Sequence, residues 1–191
     1  MKGGLRMNDS GENCYRRFLD GDSNAMKELI RLYRPGLTFF VYGWLKDSAE
    51  AEEIAEDCFV ELVLHPNRFD FTSSLKTYLF SLARFKTANR KRYLSRRKTD
   101  ELDETLPSSD ADIVSRVVRS ERDATLWRCI GRLKEDYRSA LILCYFEDMS
   151  YETIAGVMKK SRKQVANLLS RGRTALKTEL EKEGVSRYYE D

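Results

Sequence analysis

The sequence contains few of the residues that interrupt helices. Only three of its 191 residues are proline and ten are glycine, and proline inside a helix removes a backbone donor and clashes with the preceding turn. About a third of the chain, 34%, is charged, which suits the exposed faces of long helices. The composition therefore predicts an all-α chain, long enough for one domain of moderate size or two small ones.

Residues that build catalytic and metal sites are also scarce. The only histidine, His65, precedes a proline at a predicted helix end, where a structural role is favoured over general-base catalysis. No glycine-rich phosphate-binding motif occurs. We expect no enzymatic activity, no cofactor and no metal. The cysteines lack the spacing of a zinc or redox motif, so reduced and mostly buried thiols are predicted at Cys14, Cys58, Cys129 and Cys144.

Long apolar runs are missing as well. The longest, at residues 37–45, is far shorter than the roughly 20 residues that a bilayer-spanning helix needs. The first ten residues, MKGGLRMNDS, have no apolar segment of the kind found in secretory signals. We therefore expect a cytoplasmic protein without membrane insertion.

What the sequence does contain is charge in blocks, although the net charge is only +3. Residues 47–61 carry acids and no base, residues 84–98 carry bases and no acid, and residues 99–111 are acidic again. The last block also holds Pro107 and paired serines with few apolar residues, a composition typical of a flexible linker. We predict two helical domains, at residues 14–98 and 115–183, joined by an acidic linker at residues 99–114.

Apolar spacing predicts five helices in the first domain. The Pro35-Gly36 pair is expected to separate the second helix from the third. The fifth helix carries the basic block, and aromatic residues lie beside its charges, an arrangement that can stack on unpaired bases. We expect such rings in or next to the loop at residues 66–74. The predicted helices are 15–19, 23–33, 37–45, 49–64 and 75 to about 93.

The segment SYETIAGVMKKSRKQVANLLSRGR, residues 150–173, predicts a helix-turn-helix. Ser150 suits the start of a first helix, and Ser161 with Gln164 forms a capping-box pattern for a second one. Arg162 and Lys163 lie in the first turn of the second helix, where the helix dipole disfavours positive charge unless an anion binds there. The basic residues therefore point to nucleic-acid phosphates.

These motifs, in this order, resemble the small bacterial sigma factors of the extracytoplasmic-function group of the sigma-70 family. The resemblance rests on AEAEEIAEDCFVELVLHPNRFD, on LKTYLFSLARFKTANRKRYLSRRK, on the acidic linker and on LKEDYRSALILCYFEDMSYETIA with the helix-turn-helix. It covers about residues 14 to 182. It implies a transcription initiation factor that binds core RNA polymerase, recognises promoter DNA and is held by an anti-sigma factor.

The resemblance also assigns roles to residues. The helix at residues 49–64 matches the family's polymerase-binding helix, and its acidic face suits a basic partner. Residues 66–97 match the segment that opens the promoter, and the second helix of the helix-turn-helix matches the reader of the upstream element. The predicted polymerase contacts are Glu50, Glu53, Ile54, Asp57, Glu61 and Leu62; the predicted DNA contacts are Lys76, Tyr78, Arg84, Lys86, Asn89, Arg90, Arg92, Arg96, Arg162, Lys163, Gln164, Asn167, Arg171 and Arg173.

The sequence departs from the family pattern at several positions. Lys159 stands where the turn usually has glycine, so a left-handed backbone there would be strained. Ala166 and Leu168 replace basic residues of the recognition helix, and Phe85 replaces a frequent asparagine. Two other functions also fit the residues: a helix-turn-helix regulator that binds its operator unaided, as a dimer, and an RNA-binding or adaptor protein.

Overall fold

The computed structural model of the chain describes residues 10–100 and 121–185, and every regular element within these ranges is a helix. The all-α prediction is confirmed. The first domain contains four α-helices and one short 3₁₀ turn, Pro66–Arg68. The predicted linker lies outside the described residues, except for residues 99 and 100. The four helices are α1 (Ser10–Leu19), α2 (Ser23–Leu45), α3 (Ser48–Leu64) and α4 (Leu75–Asp100).

Helix α2 is continuous, so the predicted break at Pro35-Gly36 is wrong. Pro35 lies on the exposed side of the helix, while Leu29 and Leu37 on its two flanks are fully buried in one core. Burial of apolar surface on both sides outweighs the hydrogen bond that proline removes. Gly36 allows Glu147 of the second domain to approach α2 closely, because a Cβ atom at position 36 would lie 2.2 Å from Oε1 of Glu147.

The ends of α2 and α3 are fixed by aspartates. Asp22 accepts a hydrogen bond from the backbone N–H of Asn24 at 3.0 Å, and Asp47 accepts one from Glu50 at 3.0 Å. Such caps satisfy backbone donors that have no partner inside the helix. Helix α4 extends beyond the predicted end near Tyr93 to Asp100. The basic block is therefore presented on a long, regular helix.

The described part of the second domain contains four further α-helices. A π-helical turn, Ile142–Phe146, continues the second of them. The predicted helix-turn-helix is confirmed: Ser150 accepts from the N–H of Thr153, and Ser161 and Gln164 form a complete capping box. The helices are α5 (Glu121–Arg132), α6 (Glu135–Leu141), α7 (Tyr151–Met158) and α8 (Arg162–Lys182).

Lys159, in the turn between α7 and α8, has the left-handed backbone that the family pattern suggested, with φ 51° and ψ 49°. Left-handed geometry costs a non-glycine residue about 1–2 kcal/mol. We expect Lys159→Gly to raise the free energy of unfolding by about 1 kcal/mol, measured by urea denaturation. Lys159→Ala is the control, since it removes the same charge and keeps the Cβ atom. Equal stability of the two variants would show that the turn is not strained.

The two domains pack against each other: α2 and α4 of the first domain contact α5, α6, α7 and Glu147, the residue after the π turn. The ring of Phe39 on α2 lies 4.1 Å, centroid to centroid, from Trp127 on α5, and Trp127 in turn contacts Phe146 at 4.2 Å. Lys76 on α4 donates to the backbone carbonyl of Glu147 at 2.6 Å and pairs with its carboxylate at 2.9 Å. One hydrophobic core therefore runs from the first domain into the second.

Candidate nucleic-acid interface

Helix α8 divides into a buried face and a cationic exposed face. Val165, Leu169 and Gly172 are buried against the rest of the second domain, and a Cβ atom on Gly172 would touch Leu141 at 3.4 Å. Around these positions the helix carries all six of the DNA contacts predicted for it, and all six side chains are exposed. The exposed set comprises Arg162, Lys163, Gln164, Asn167, Arg171 and Arg173.

The side chains on the exposed face of α8 differ in whether they already have partners inside the protein. Arg162 pairs with Glu152 on α7 at 2.5 Å, but both side chains are mostly exposed, so the pair is worth little and can open. Gln164 is committed to the cap, because its Oε1 accepts from the N–H of Ser161 at 2.8 Å. Arg173 donates to the hydroxyl of Tyr145 at 3.3 Å. Lys163, Asn167 and Arg171 project from the same exposed surface.

The middle of α4 presents bases that are partly neutralised by α3. Arg90 pairs with Glu50 and with Glu53, each at 2.8 Å, and Lys86 pairs with Asp57 at 3.2 Å. Sequence reasoning assigned these acids to one partner and these bases to another. The structure instead brings the two groups together along the contact between α3 and α4, so each partner would meet a surface of mixed charge.

The first part of α4 turns its predicted DNA contacts inward. Lys76 is held by Glu147 of the second domain. Tyr78 packs its ring 5.3 Å from that of Phe69, and burial raises the pKa of its hydroxyl. Arg84 lies over the ring of Trp44, with the guanidinium carbon 5.9 Å from the ring centroid. All three side chains are half-buried, so they are less accessible to DNA than the exposed residues later on the helix.

The later part of α4 is open. Asn89, Arg92 and Arg96 are exposed, and Arg92 donates to the side-chain oxygen of Asn89 at 2.6 Å. Phe85 and Tyr93 are 54% and 53% exposed on the same helix. Cationic side chains interleaved with accessible rings match the chemistry of single-strand binding.

The rings of the loop before α4 do not form a stacking platform, which corrects the expectation for residues 66–74. Phe69 is almost fully buried, with its ring 5.9 Å from Tyr15 and 4.6 Å from Phe71. Phe71, with φ 59°, is covered by the guanidinium of Arg16 at 4.1 Å. These rings pack together and cover the core at one end of the first domain, because burying aromatic surface is energetically more favourable than exposing it to water.

The predicted polymerase contacts on α3 separate by burial. Ile54 and Leu62 are 2% and 1% exposed, so they stabilise the core and cannot contact a partner from this position. Glu50, Glu53, Asp57 and Glu61 lie on the other faces; Glu61 pairs with Arg68, and burial raises the pKa of Glu50. The acidic surface is therefore formed by the carboxylates alone.

The remaining sequence predictions concern cysteines, metals and membranes. Cys58 and Cys129 are buried, and burial raises the pKa of Cys58 to about 12, which keeps it a thiol. Cys14 and Cys144 are half-buried, and all four are free cysteines. Among the described residues no cluster of metal-ligand side chains occurs, and none of the described helices has the length and apolarity of a membrane span.

Sequence reasoning missed the residues that join the domains. Trp127, Phe39 and Glu147 follow ordinary helical spacing, so their pattern does not distinguish an interdomain contact from a core position within one domain. The sequence offers only a weak indication that Glu147 is buried in an interdomain contact: it is an acid directly after the apolar run ALILCYF. Its carboxylate is largely buried, and burial raises its pKa even though Lys76 is adjacent.

Comparison with known families gives two matches in chain order. Residues 29–97 match the family model described as Sigma-70 region 2. Residues 123–176 match the one described as Sigma-70, region 4. The first range includes α3 and almost all of α4, and the second includes the helix-turn-helix.

Individual relatives match over most of their length. RNA polymerase sigma-H factor of Pseudomonas aeruginosa is 29% identical over 181 residues, which span 88% of this chain and 92% of the relative. The extracytoplasmic-function (ECF) RNA polymerase sigma factor SigW of Bacillus subtilis is 26% identical over 173 residues, which span 84% and 91% of the two chains.

Solved structures share the fold. The sigma factor RpoE of Bartonella quintana, in complex with the anti-sigma factor NepR, aligns with a TM-score of 0.65 and 22% identity, over 81% of this chain and 96% of that one. CnrH, in complex with the cytosolic domain of CnrY, aligns with a TM-score of 0.61 and 19% identity, over 91% and 99%. Both alignments include elements of the two domains described above.

Proposed function

The chain belongs to the sigma-70 family, as an RNA polymerase sigma factor of the extracytoplasmic-function type, and we propose that its two domains perform different steps of transcription initiation. As a transcription initiation factor it binds core RNA polymerase, directs it to specific promoters and assists DNA melting. In our proposal residues 14–98 bind the polymerase and open the promoter, residues 99–114 connect the domains, and residues 115–183 read the upstream promoter element.

The observation that carries this assignment is the exposed face of α8. A helix that follows a tight turn, starts at a complete capping box and carries Arg162, Lys163 and Arg171 outward has the form of a recognition helix for the major groove. Asn167 is suited to reading adenine from this face. Because Gln164 is committed to the cap, we assign base reading mainly to Lys163 and Asn167, and phosphate contact to Arg162, Arg171 and Arg173.

In the first domain we propose two surfaces. The carboxylates of Glu50, Glu53, Asp57 and Glu61 meet the polymerase, without Ile54 and Leu62. The open part of α4 meets the melted strand, with Phe85 and Tyr93 supplying the stacking rings. Further promoter contacts on α4 are proposed at Lys86, Asn89, Arg90, Arg92 and Arg96. Lys76 joins them only when the domains separate, and Tyr78 and Arg84 only when their contacts with Phe69 and Trp44 inside the first domain open.

Three further proposals follow from membership of this family. The protein acts in the cytoplasm, where core polymerase and promoters are found, and it carries out no chemistry on a substrate of its own. An anti-sigma factor is proposed as a partner because the two similar solved structures are complexes with such proteins, by their descriptions. Capture of the tagged chain from its own cells, followed by identification of bound proteins, tests both the polymerase and the anti-sigma assignment.

A binding experiment separates the proposed function from the two alternatives. Purified protein is mixed with core polymerase, with duplex DNA and with single-stranded RNA, and each equilibrium is measured alone and in combination. We expect tight binding to core polymerase and specific duplex binding only in its presence. Specific duplex binding without polymerase would support an independent regulator, and RNA binding without polymerase association would support an RNA-binding protein; either result would contradict our proposal.

The acidic surface of α3 can be tested by charge reversal. We expect Glu53→Lys with Asp57→Lys to weaken core-polymerase binding at least about tenfold, because like charges would then face a basic partner. Glu52→Lys with Glu56→Lys is the matched control: it makes the same charge change on the same helix, on the side that pairs with Arg34. Equal loss in the two variants would mean that total charge, rather than this surface, determines affinity.

The role of Arg171 can be tested through salt dependence. If its guanidinium contacts a phosphate, Arg171→Ala should lower the slope of log affinity against log salt concentration by about 1 unit, measured for holoenzyme on promoter DNA. Lys27→Ala is the control, since Lys27 is exposed on α2 and donates to Asn24. An unchanged slope for Arg171→Ala would remove this residue from the interface.

A further inference from the structure

Three exposed residues of α4 lie on one face of the helix. Phe85, Asn89 and Arg92 follow one another at spacings of four and three residues, which places their side chains above one another. All three are exposed, and the ring of Phe85 is among the most accessible apolar side chains of the described residues, at 54%. We call these three residues the α4 stripe. It presents a ring, an amide and a guanidinium together.

The α4 stripe lies on the side of the helix opposite the core. Ala83 and Thr87 are buried, and at 3.6 residues per turn their side chains point away from the stripe. Lys86 and Arg90 lie between these two sides and pair with carboxylates of α3. A nucleic-acid strand can therefore reach the α4 stripe without displacing α3.

Arg92 fixes the orientation of the Asn89 amide. Nη2 of Arg92 donates to Oδ1 of Asn89 at 2.6 Å, and Nε of Arg92 donates to the backbone carbonyl of Ala88 at 3.3 Å. A guanidinium has donors only, so the asparagine atom that it contacts must be the carbonyl oxygen. The oxygen of Asn89 is thus occupied, and its two amide N–H donors are left for a ligand.

This pairing changes which base Asn89 can recognise. Asparagine recognises adenine through two hydrogen bonds, because its oxygen accepts from the N6 amino group while its nitrogen donates to N7. With Oδ1 held by Arg92, the amino group of adenine would face donors instead of an acceptor. Guanine carries two neighbouring acceptors, O6 and N7, on the same edge. The amide nitrogen of Asn89 and the remaining N–H groups of Arg92 match those two acceptors.

We propose that the α4 stripe selects an unpaired guanine in the melted promoter strand. The base stacks on the ring of Phe85, and its edge accepts hydrogen bonds from Asn89 and Arg92. Side chains four residues apart have Cβ atoms about 5–6 Å from each other, so the edge of a base stacked on Phe85 reaches Asn89. Stacking alone tolerates every base, and the two polar groups therefore provide the preference. The inference rests on the proposed contact between α4 and the melted strand.

A library of pre-melted promoters tests the preference. Core polymerase and the chain are mixed with promoter duplexes whose non-template bases are randomised across the melted region, and the bound molecules are sequenced. We expect one position at which guanine is enriched at least about tenfold over adenine, as is typical of a base edge with two hydrogen bonds. Specific binding with equal use of guanine and adenine at every melted position would overturn this inference alone. Absence of specific binding would overturn the proposed function as well.

Replacing Arg92 by methionine tests how the preference arises. Methionine keeps an unbranched side chain but cannot donate, so Oδ1 of Asn89 is released and the amide can recognise adenine through both of its groups. We expect the ratio of guanine to adenine at the selected position to fall at least about tenfold in Arg92→Met. Arg96→Met is the matched control, because it removes the same charge about one turn further along α4. The control should lower overall affinity and keep the guanine preference. The same base preference in the two variants would contradict the role of Arg92.

A second variant tests Asn89 with little change of shape. Asn89→Asp retains the acceptor for Arg92 and replaces the amide N–H donors by an oxygen that only accepts. The helix should therefore fold as before, which an unchanged melting temperature would verify, while the guanine preference is lost. Guanine enrichment that persists in Asn89→Asp would show that another residue reads the base, and it would overturn the inference.

Discussion

Reversing the charge of Arg162 and Lys163 to glutamate is expected to lower promoter-dependent transcription at least about 100-fold, while core-polymerase binding is unchanged. Loss of a contact to DNA costs about 1–3 kcal/mol, and each reversal also places a repelling carboxylate against the phosphates. Two such contacts together account for a factor of this size. The measurement is transcription in vitro from a promoter that the unaltered chain recognises, with holoenzyme assembled from purified components.

This variant separates function from stability, because the two should move in opposite directions. Residues 162 and 163 lie in the first turn of α8, where acids are favoured by about 0.3–1 kcal/mol each. The variant should therefore unfold at an unchanged or slightly higher temperature. The control is Lys177→Glu with Lys182→Glu, an equal charge change near the other end of the helix. Comparable losses of transcription in the two variants would contradict a specific recognition surface.

Replacing Glu147 by lysine is expected to separate the two domains. Glu147 and Lys76 are 13% and 26% exposed and form one of the ion pairs between the domains, at 2.9 Å; Lys91 and Glu135 form another, which is more exposed. The substitution leaves two facing ammonium groups at a largely buried site, which costs about 3–5 kcal/mol when one partner of a buried pair is removed. A cost of about 3 kcal/mol shifts the equilibrium between packed and separated domains roughly 100-fold.

Two measurements report this change. The radius of gyration from small-angle scattering should increase, and the emission of Trp127 should shift to the red as its ring leaves Phe39. A Trp44→Phe background makes Trp127 the only tryptophan. The exchange Lys76→Glu with Glu147→Lys should restore packing, because it recreates the pair with its signs reversed. If Glu147→Lys leaves both signals unchanged, the ion pair does not hold the domains together.

The separation also bears on promoter contact. In the packed arrangement the ammonium of Lys76 is occupied by the carbonyl and carboxylate of Glu147, and the ring of Phe39 is covered by Trp127. Lys76 can contact DNA only if its pairing with Glu147 opens. Promoter contact at Lys76 and packing of the two domains therefore exclude each other, and DNA binding at this residue would favour the separated arrangement.

How far the sequence predicts the fold depends on whether a signal is local. The capping box at Ser161 and Gln164, the N-cap at Ser150 and the apolar spacing of α3 each act within a few residues, and these predictions agree with the structure. Pro35 also acts locally, but the burial of Leu29 and Leu37 in a core assembled from other helices outweighs it. That competition between local and tertiary terms cannot be read from the spacing of one helix.

The candidate sites follow the same rule. The exposed cations of α8 could be predicted, since amphipathic spacing identifies which positions face solvent. The pairing of Arg90 with Glu50 and Glu53 could not, because it depends on how α3 and α4 cross. The resemblance assigns Ile54 and Leu62 to a partner surface, whereas their apolar spacing places them in the core. The structure agrees with the spacing, because both side chains are buried.

The most direct test of the central claim is transcription in vitro from fragmented genomic DNA, with core polymerase alone and with the added chain, followed by mapping of the RNA 5′ ends. We expect the chain to add a discrete set of start sites that share an upstream sequence at a fixed distance. The charge-reversed variant at residues 162 and 163 should not produce them. A pattern of start sites identical to that of core polymerase alone would contradict the account.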